Sequence, residues 1–372
     1  MTPSRETLVD LLRVLVEAET PTGDTDALNR GFSVLAELTA SMTARQPLVD
    51  SLDGTPYLYL APTASPSVLF LGHLDTVWPV GTLSELPFRI DGDVATGPGV
   101  FDMKAGLAIA LGAIAGCNAA DHVGLLVTSD EETGSTTGRT LVEKHATAAS
   151  AVFVPEPAAP GGAIKVARKG VGLYEFQVVG REAHAGLEPE RGVNASMELA
   201  SLINDIAGLA DPEAGTTVTP TRAASGLTSN TVPAAATLTA DVRAWTLLEL
   251  QRVDAAVRRR TTHVPGAEVF VSGGINRPPL EAGNSTELLA LAMQSAVDTG
   301  LGQLEATGVG GGSDGNFTSA AGIPTLDGVG AVGGGAHARD EWVDLTSLEP
   351  RARWLASVAE RFVAQHPDSA GR

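Results

Sequence analysis

Three short apolar runs, Val68 to Leu71, Val123 to Thr128 and Ala151 to Val154, constrain the fold of this chain most, because each gives out into a loop carrying a histidine or a carboxylate. A strand that is apolar on both faces is covered on both, the condition of a strand in a parallel sheet flanked by helices. The intervening segments read as helices: Met103 to Ala115 is alanine-rich, and Thr136 to Ala148 has helical periodicity. Strand and helix therefore alternate, and an α/β layer with a largely parallel sheet is expected. Such a sheet presents functional side chains at the carboxyl edge of its strands.

The N-terminal segment places Leu8, Leu11, Leu12 and Leu15 at helical spacing, with Pro3 suited to the first helical position after Thr2. A second helix is expected over about Asp26 to Thr43. From Lys169 the pattern changes. Leu173 to Val179 and Ala236 to Trp245 alternate, Val193 to Ala207 and Leu247 to Arg260 are helical, and Val269 to Ser272 is extended. This is the pattern of a compact α+β insert, with strands on one face and two helices on the other. The α/β pattern resumes after Pro278-Pro279, so residues 1–168 and 279–372 are expected to form one discontinuous domain and residues 169–278 the insert. A chain of 372 residues is long enough for two such cores.

The formal charge of −19, from 44 acidic and 25 basic residues, would repel a nucleic acid or an anionic membrane. No run approaches the apolar length of a membrane span, the start MTPSRETLVDLL lacks the apolar core of a signal peptide, and the single cysteine, Cys117, cannot form an intrachain disulfide. A cytoplasmic location is expected.

The chemistry is concentrated in VLFLGHLDT, TGPGVFDMKAG, GLLVTSDEETGS, AVFVPEPA and GGGAHARDEWVDL. Residues two apart on a strand share a face, so Asp75 can accept a hydrogen bond from the His73 ring nitrogen that is turned away from a metal. Asp102 precedes a helix and can serve either as its cap or as a carboxylate bridging two cations. Asp130, Glu131 and Glu132 are adjacent and repel one another unless cations neutralise them, and neighbouring Glu131 and Glu132 can divide metal ligation from proton transfer. Glu156 sits between Pro155 and Pro157, either as a surface glutamate or as a rigidly held ligand. The glycine-rich stretch before His337 lacks the G-K-[ST] ending of a phosphate loop. Two histidines with three carboxylates form the ligand mix of a zinc-like dication. A serine hydrolase is disfavoured, since no G-x-S-x-G precedes a helix.

Together and in this order, these segments resemble the M20 metallopeptidase family, within it the glutamate carboxypeptidase branch. The resemblance implies a hydrolase-like α/β domain that holds two Zn²⁺, with Co²⁺ or Mn²⁺ able to substitute, and an inserted ferredoxin-like α+β domain acting as lid and dimerisation surface. It implies that Asp102 bridges the metals, that Glu132 and His337 complete one site, and that His73 and Glu156 complete the other. Glu131 would be the general base, Asp75 would support His73, and the Asp102-Met103 bond would be cis. His184 in GREAHAG would reach a neighbouring active site, while Asn230 and Arg277 would hold the substrate's carbonyl or free carboxylate. A glutamate at position 156 resembles carboxypeptidases and deacylases. The implied substrate is a peptide or acyl amino acid and the implied assembly a homodimer. An N-acyl or N-succinyl amino-acid deacylase and a catalytically silent binding protein of the same fold are the alternatives.

Overall fold

The computed structural model describes residues 2–366. The chain divides into two compact units. The larger runs from the N-terminus through Ala167 and resumes over Glu281–Val309 and from Ser313 onward, and the smaller comprises Arg168–Leu280 with Gly310–Gly312.

An eight-stranded sheet organises the larger unit, in the order Leu48–Leu52, Thr55–Leu60, Val123–Thr128, Val68–His73, Ala151–Val154, Thr325–Asp327, Ile164–Arg168 and Ala306–Val309. Its four consecutive strands from Val123–Thr128 to Thr325–Asp327 are parallel, with His73 opposite Thr128 and Asp327 opposite Val154. Every residue of these four strands is buried. Alternate side chains supply two separate cores. Phe70, Leu125 and Phe153 pack with the helices Arg5–Glu17, Thr25–Thr43, Ala105–Gly116 and Leu348–Gln365, while Leu69, Leu71, Leu126, Val152 and Val154 pack with Gly138–Ala146 and Gly315–Ala320. The apolar runs are continuous in sequence for this reason.

The first helix begins at Arg5, two residues after the expected proline start, because the Ser4 hydroxyl accepts the N–H of Thr7 and makes Ser4 the cap. A strand around Tyr57 to Leu60 is expected from the sequence and found as Thr55–Leu60, but its hairpin partner Leu48–Leu52 is not apparent there. The hairpin closes through Asp53 and Gly54, both at positive φ (49° and 81°), as a two-residue hairpin loop requires.

The smaller unit follows the order strand Gly170–Val179, helix Ala195–Ala207, strand Thr217–Ser225, strand Ala235–Ala244, helix Leu247–Arg259, strand Glu268–Arg277. The four strands form an antiparallel sheet in which Ala235–Ala244 and Gly170–Val179 are central. This is a ferredoxin-like βαββαβ arrangement. Tyr174, Phe176 and Val178 point into a core with Leu202, Ile206, Leu250 and Val253, and the intervening Leu173, Glu175, Gln177 and Val179 are exposed. Thr217–Ser225 shows no alternation because it is an edge strand with an irregular register at Pro220 and most of its residues exposed.

Helix Ala105–Gly116 is buried on all sides from Ala105 to Ile114, so its glycines serve close packing. A Cβ on Gly106 would lie 1.7 Å from the Pro155 carbonyl oxygen, whereas one on Gly112 would meet the flexible Leu8 side chain at 2.7 Å. Gly106→Ala should therefore destabilise the fold by about 1–3 kcal/mol, as overpacking against backbone does, with Gly112→Ala losing clearly less. Urea unfolding of the two variants measures the difference, and equal losses would show that the 155–156 segment yields freely.

Candidate metal centre

Parallel strands end along a common edge, and there the sheet delivers His73, the Glu131-Glu132 turn and Glu156, one residue past Pro155. Asp102 arrives from the turn Val100–Lys104, ahead of the buried helix, through a cis peptide bond to Met103. His337 reaches the same place from a loop in which its backbone is held at φ 64°, a left-handed conformation uncommon for a residue with a side chain.

The Asp102 carboxylate stands between the two rings: Oδ1 lies 3.4 Å from His73 Nε2, and Oδ2 lies 3.4 Å from His337 Nε2. Glu156 Oε1 is 3.5 Å from His73 Nε2, and Glu132 Oε2 is 3.0 Å from His337 Nε2. Each Nε2 thus meets one oxygen of Asp102 and one further carboxylate. Donor atoms of His73, Asp102 and Glu132 all lie within 4.8 Å of one another. His73 Nε2 and Asp102 Oδ1 are buried without a hydrogen bond of normal geometry, although both are strongly polar. A pocket of nitrogen and carboxylate donors with orphaned buried atoms fits a dication of the zinc class.

His73 Nδ1 lies 2.9 Å from the Asp75 backbone carbonyl and 3.4 Å from the Asp75 carboxylate. The expected Asp75 side-chain contact is therefore the longer one. The strand has ended at His73, so the two-residue alternation no longer directs the Asp75 side chain. Its carboxylate instead accepts the N–H groups of Glu131 (3.3 Å) and Glu132 (3.2 Å) and the hydroxyl of Thr22 (2.8 Å). Asp130, the third acidic residue of its run, accepts the N–H groups of Thr137 (2.7 Å) and Gly138 (3.0 Å) at the start of the next helix. Neither Thr22 nor this capping by Asp130 was found from sequence, since both need the tertiary placement of another segment.

His184, Asn230 and Arg277 belong to the smaller unit. His184 pairs with Thr231 in a two-stranded ribbon, and the Ala185 N–H donates to the Asn230 carbonyl (2.9 Å), so two residues distant in sequence become neighbours. His184 is exposed, and its Nδ1 accepts the Gly186 N–H (3.1 Å). Arg277 ends the strand Glu268–Arg277 and is buried, which a solvated surface charge would not be.

Burial disfavours a charged His73 ring, yet the carboxylates of Asp102, Asp75 and Glu156 outweigh it and hold its pKa well above the ordinary value. Contacts with Asp102 and Glu132 raise His337 to about 10. Burial alone would raise Asp102, but the two rings pull it below the usual carboxylate range. Glu132 is pushed up by burial, partly offset by His337. The carboxylates thus draw positive charge, as protons on the rings or as cations between the donors.

Residues 69–361 match the model of Peptidase family M20/M25/M40. The chain is 30% identical over 383 residues to carboxypeptidase G2 of Pseudomonas sp. (strain RS-16), covering 96% of this chain and 89% of the relative. It is 29% identical to succinyl-diaminopimelate desuccinylase of Gluconacetobacter diazotrophicus, covering 98% of this chain and 99% of that protein. An M20 family metallo-carboxypeptidase of Sulfolobus solfataricus shares the fold with a TM-score of 0.73 at 17% identity, over 95% of this chain and 98% of the other. Fold and family together define a hydrolase of the metallopeptidase class. The chain belongs to peptidase family M20/M25/M40. Among the described residues no helix is long and apolar enough to cross a membrane.

In metal-free protein, a His337 ring raised from 6.5 to about 10 stabilises the fold fully below pH 6.5, and this contribution is lost as the pH rises through 10. The thermal midpoint of chelated protein should fall across that window, and His337→Gln should flatten the decline. A midpoint independent of pH between these limits in the chelated wild type would mean that the ring is not held protonated.

Proposed function

We propose that this chain is a two-zinc amidohydrolase, working as a cytoplasmic homodimer, that cleaves the amide bond of an N-acyl or N-peptidyl amino acid with a free carboxylate. The observation that carries the reading is the Asp102 carboxylate presenting one oxygen to each of two histidines, each ring backed by its own glutamate. In this assignment Asp102, His73 and Glu156 would hold one ion, and Asp102, Glu132 and His337 would hold the other. The bound cations would lower the pKa of water towards about 7 and polarise the scissile carbonyl.

Glu131 is the general base: its neighbour Glu132 faces His337, while the Glu131 and Glu132 N–H groups are both fastened to Asp75. It would take a proton from the attacking water and return it to the leaving amine. In the same reading, His184 stabilises the developing oxyanion in the site of the second copy, Asn230 holds a substrate carbonyl or carboxylate, and Arg277 pairs bidentately with the free carboxylate. The full-length similarity to a desuccinylase supports an acyl amino-acid substrate as the second reading.

Chelation should abolish hydrolysis, and Zn²⁺, Co²⁺ or Mn²⁺ should restore it. Glu131→Gln should retain its metal and lose rate by about 10²- to 10⁴-fold, while Glu132→Ala should lose metal. Elemental analysis with single-turnover kinetics separates the two, and equal metal loss in both variants would refute the division of roles. A metal-free sample with full activity would refute the centre itself.

Amidating the substrate carboxylate should raise KM steeply, and Arg277→Ala should reproduce that defect on free acids with little further effect on amides. Steady-state kinetics on matched acid and amide substrates measures this. Equal turnover of both by the wild type would point to an endopeptidase or aminopeptidase mode, and sedimentation of the native protein reads the dimer directly.

A further inference from the structure

One buried carboxylate beside the metal centre is not among the proposed ligands. Glu341 is only 3% exposed, although Asp340 before it and Trp342 after it are both exposed. Its Oε1 accepts the backbone N–H groups of Phe101 (2.8 Å) and Asp102 (2.9 Å). Its Oε2 accepts the N–H of Gly99 (2.9 Å) and the indole Nε1–H of Trp78 (3.1 Å). Two oxygens thus meet four donors.

These donors come from segments that matter to the centre. Three are amides of the turn that delivers Asp102, where Gly99 has φ 70° and Asp102 departs from helical geometry. Amides ahead of a helix have no helical carbonyl to bond, and a buried carboxylate that gathers them satisfies several at once. The fourth belongs to the loop that follows His73 and Asp75. Glu341 itself closes the loop that carries His337, its own N–H bonding the Ala338 carbonyl (3.1 Å). One side chain therefore ties together the segments bearing His73, Asp102 and His337.

We propose that Glu341 is a positioning residue of the metal centre: by gathering four N–H donors it fixes where the Asp102 carboxylate stands between the two histidine rings, and so sets the affinity and geometry of the cation site. This rests on the reading of the centre as a metal site. An amide in place of the carboxylate would satisfy one pair of donors and turn its own NH₂ against the other pair, so Glu341→Gln is nearly isosteric but electrostatically wrong. The four donors that meet the Glu341 carboxylate are three backbone amides and an indole, and none is a histidine ring of the centre.

The test compares wild type, Glu341→Gln and Trp78→Phe. Zn²⁺ affinity is measured by competition with a chromophoric chelator, the visible spectrum after Co²⁺ substitution reports coordination geometry, and circular dichroism reports the fold. Outer partners of metal ligands usually carry about 10- to 100-fold in affinity, and that loss is expected for folded Glu341→Gln, with a changed Co²⁺ spectrum and a fall in kcat exceeding any change in KM. Trp78→Phe removes one donor of four and should weaken Zn²⁺ by a smaller factor, about two- to tenfold, at unchanged circular dichroism. Wild-type affinity and spectrum in folded Glu341→Gln would overturn the proposal. If that variant does not fold, Trp78→Phe decides, and unchanged affinity and spectrum there would overturn it equally. A wild type that binds neither ion would instead sink the metal-centre reading, which the other outcomes leave standing.

Discussion

Carboxylates gathered at one edge of a buried sheet repel one another, and much of the larger unit is arranged to hold them together. Leaving Glu131 aside, six acidic side chains at this edge fall into two groups by what they face. Asp75, Asp130 and Glu341 accept backbone N–H groups, and each fastens a turn. Asp102, Glu132 and Glu156 face imidazole nitrogens, where a proton or a cation can neutralise them. In the first group the partial positive charges of backbone N–H groups offset part of each carboxylate's charge. The second keeps its carboxylate oxygens 3.0–3.5 Å from the two histidine rings.

Rigidity follows from the same arrangement. The four parallel strands are buried on both faces, and the Pro155 carbonyl lies against Gly106 on one side and Gly330 on the other, so the strand end bearing Glu156 has little room to move. Oxygen and nitrogen donors 3.0–3.5 Å apart, placed by separate segments, hold a useful geometry only if the backbone beneath them does not relax. Dense packing of glycine against backbone supplies that stiffness.

The smaller unit is built on another principle. Its antiparallel sheet packs helices on one face and leaves the other open, where Glu175, Gln177, Arg222, Thr237 and Thr239 stand beside the exposed Leu173, Val179 and Phe270. Its candidate substrate contacts lie outside that core, His184 and Asn230 on a two-stranded ribbon and Arg277 at a strand end. A stable core with function carried on its margins lets substrate preference change without refolding the unit.

The α/β class, the interrupted larger domain and the identity of the acidic and histidine positions are local properties, legible in apolar runs that stop at charged loops and in the change of pattern near Lys169. So is the all-apolar character of the Ala105–Gly116 helix. What each carboxylate faces is not local. Glu341 and Asp340 are adjacent and equally acidic, yet one is buried against four donors and the other is exposed. Asp130, Glu131 and Glu132 are three in a row, yet one caps a helix and another meets His337. The hydrogen bonds that separate these roles join residues up to 263 positions apart. Residue type and periodicity therefore determined which groups could do chemistry, while only the packing of distant segments decided which donors each carboxylate meets, because a carboxylate is directed by the donors around it and not by its neighbours in the chain.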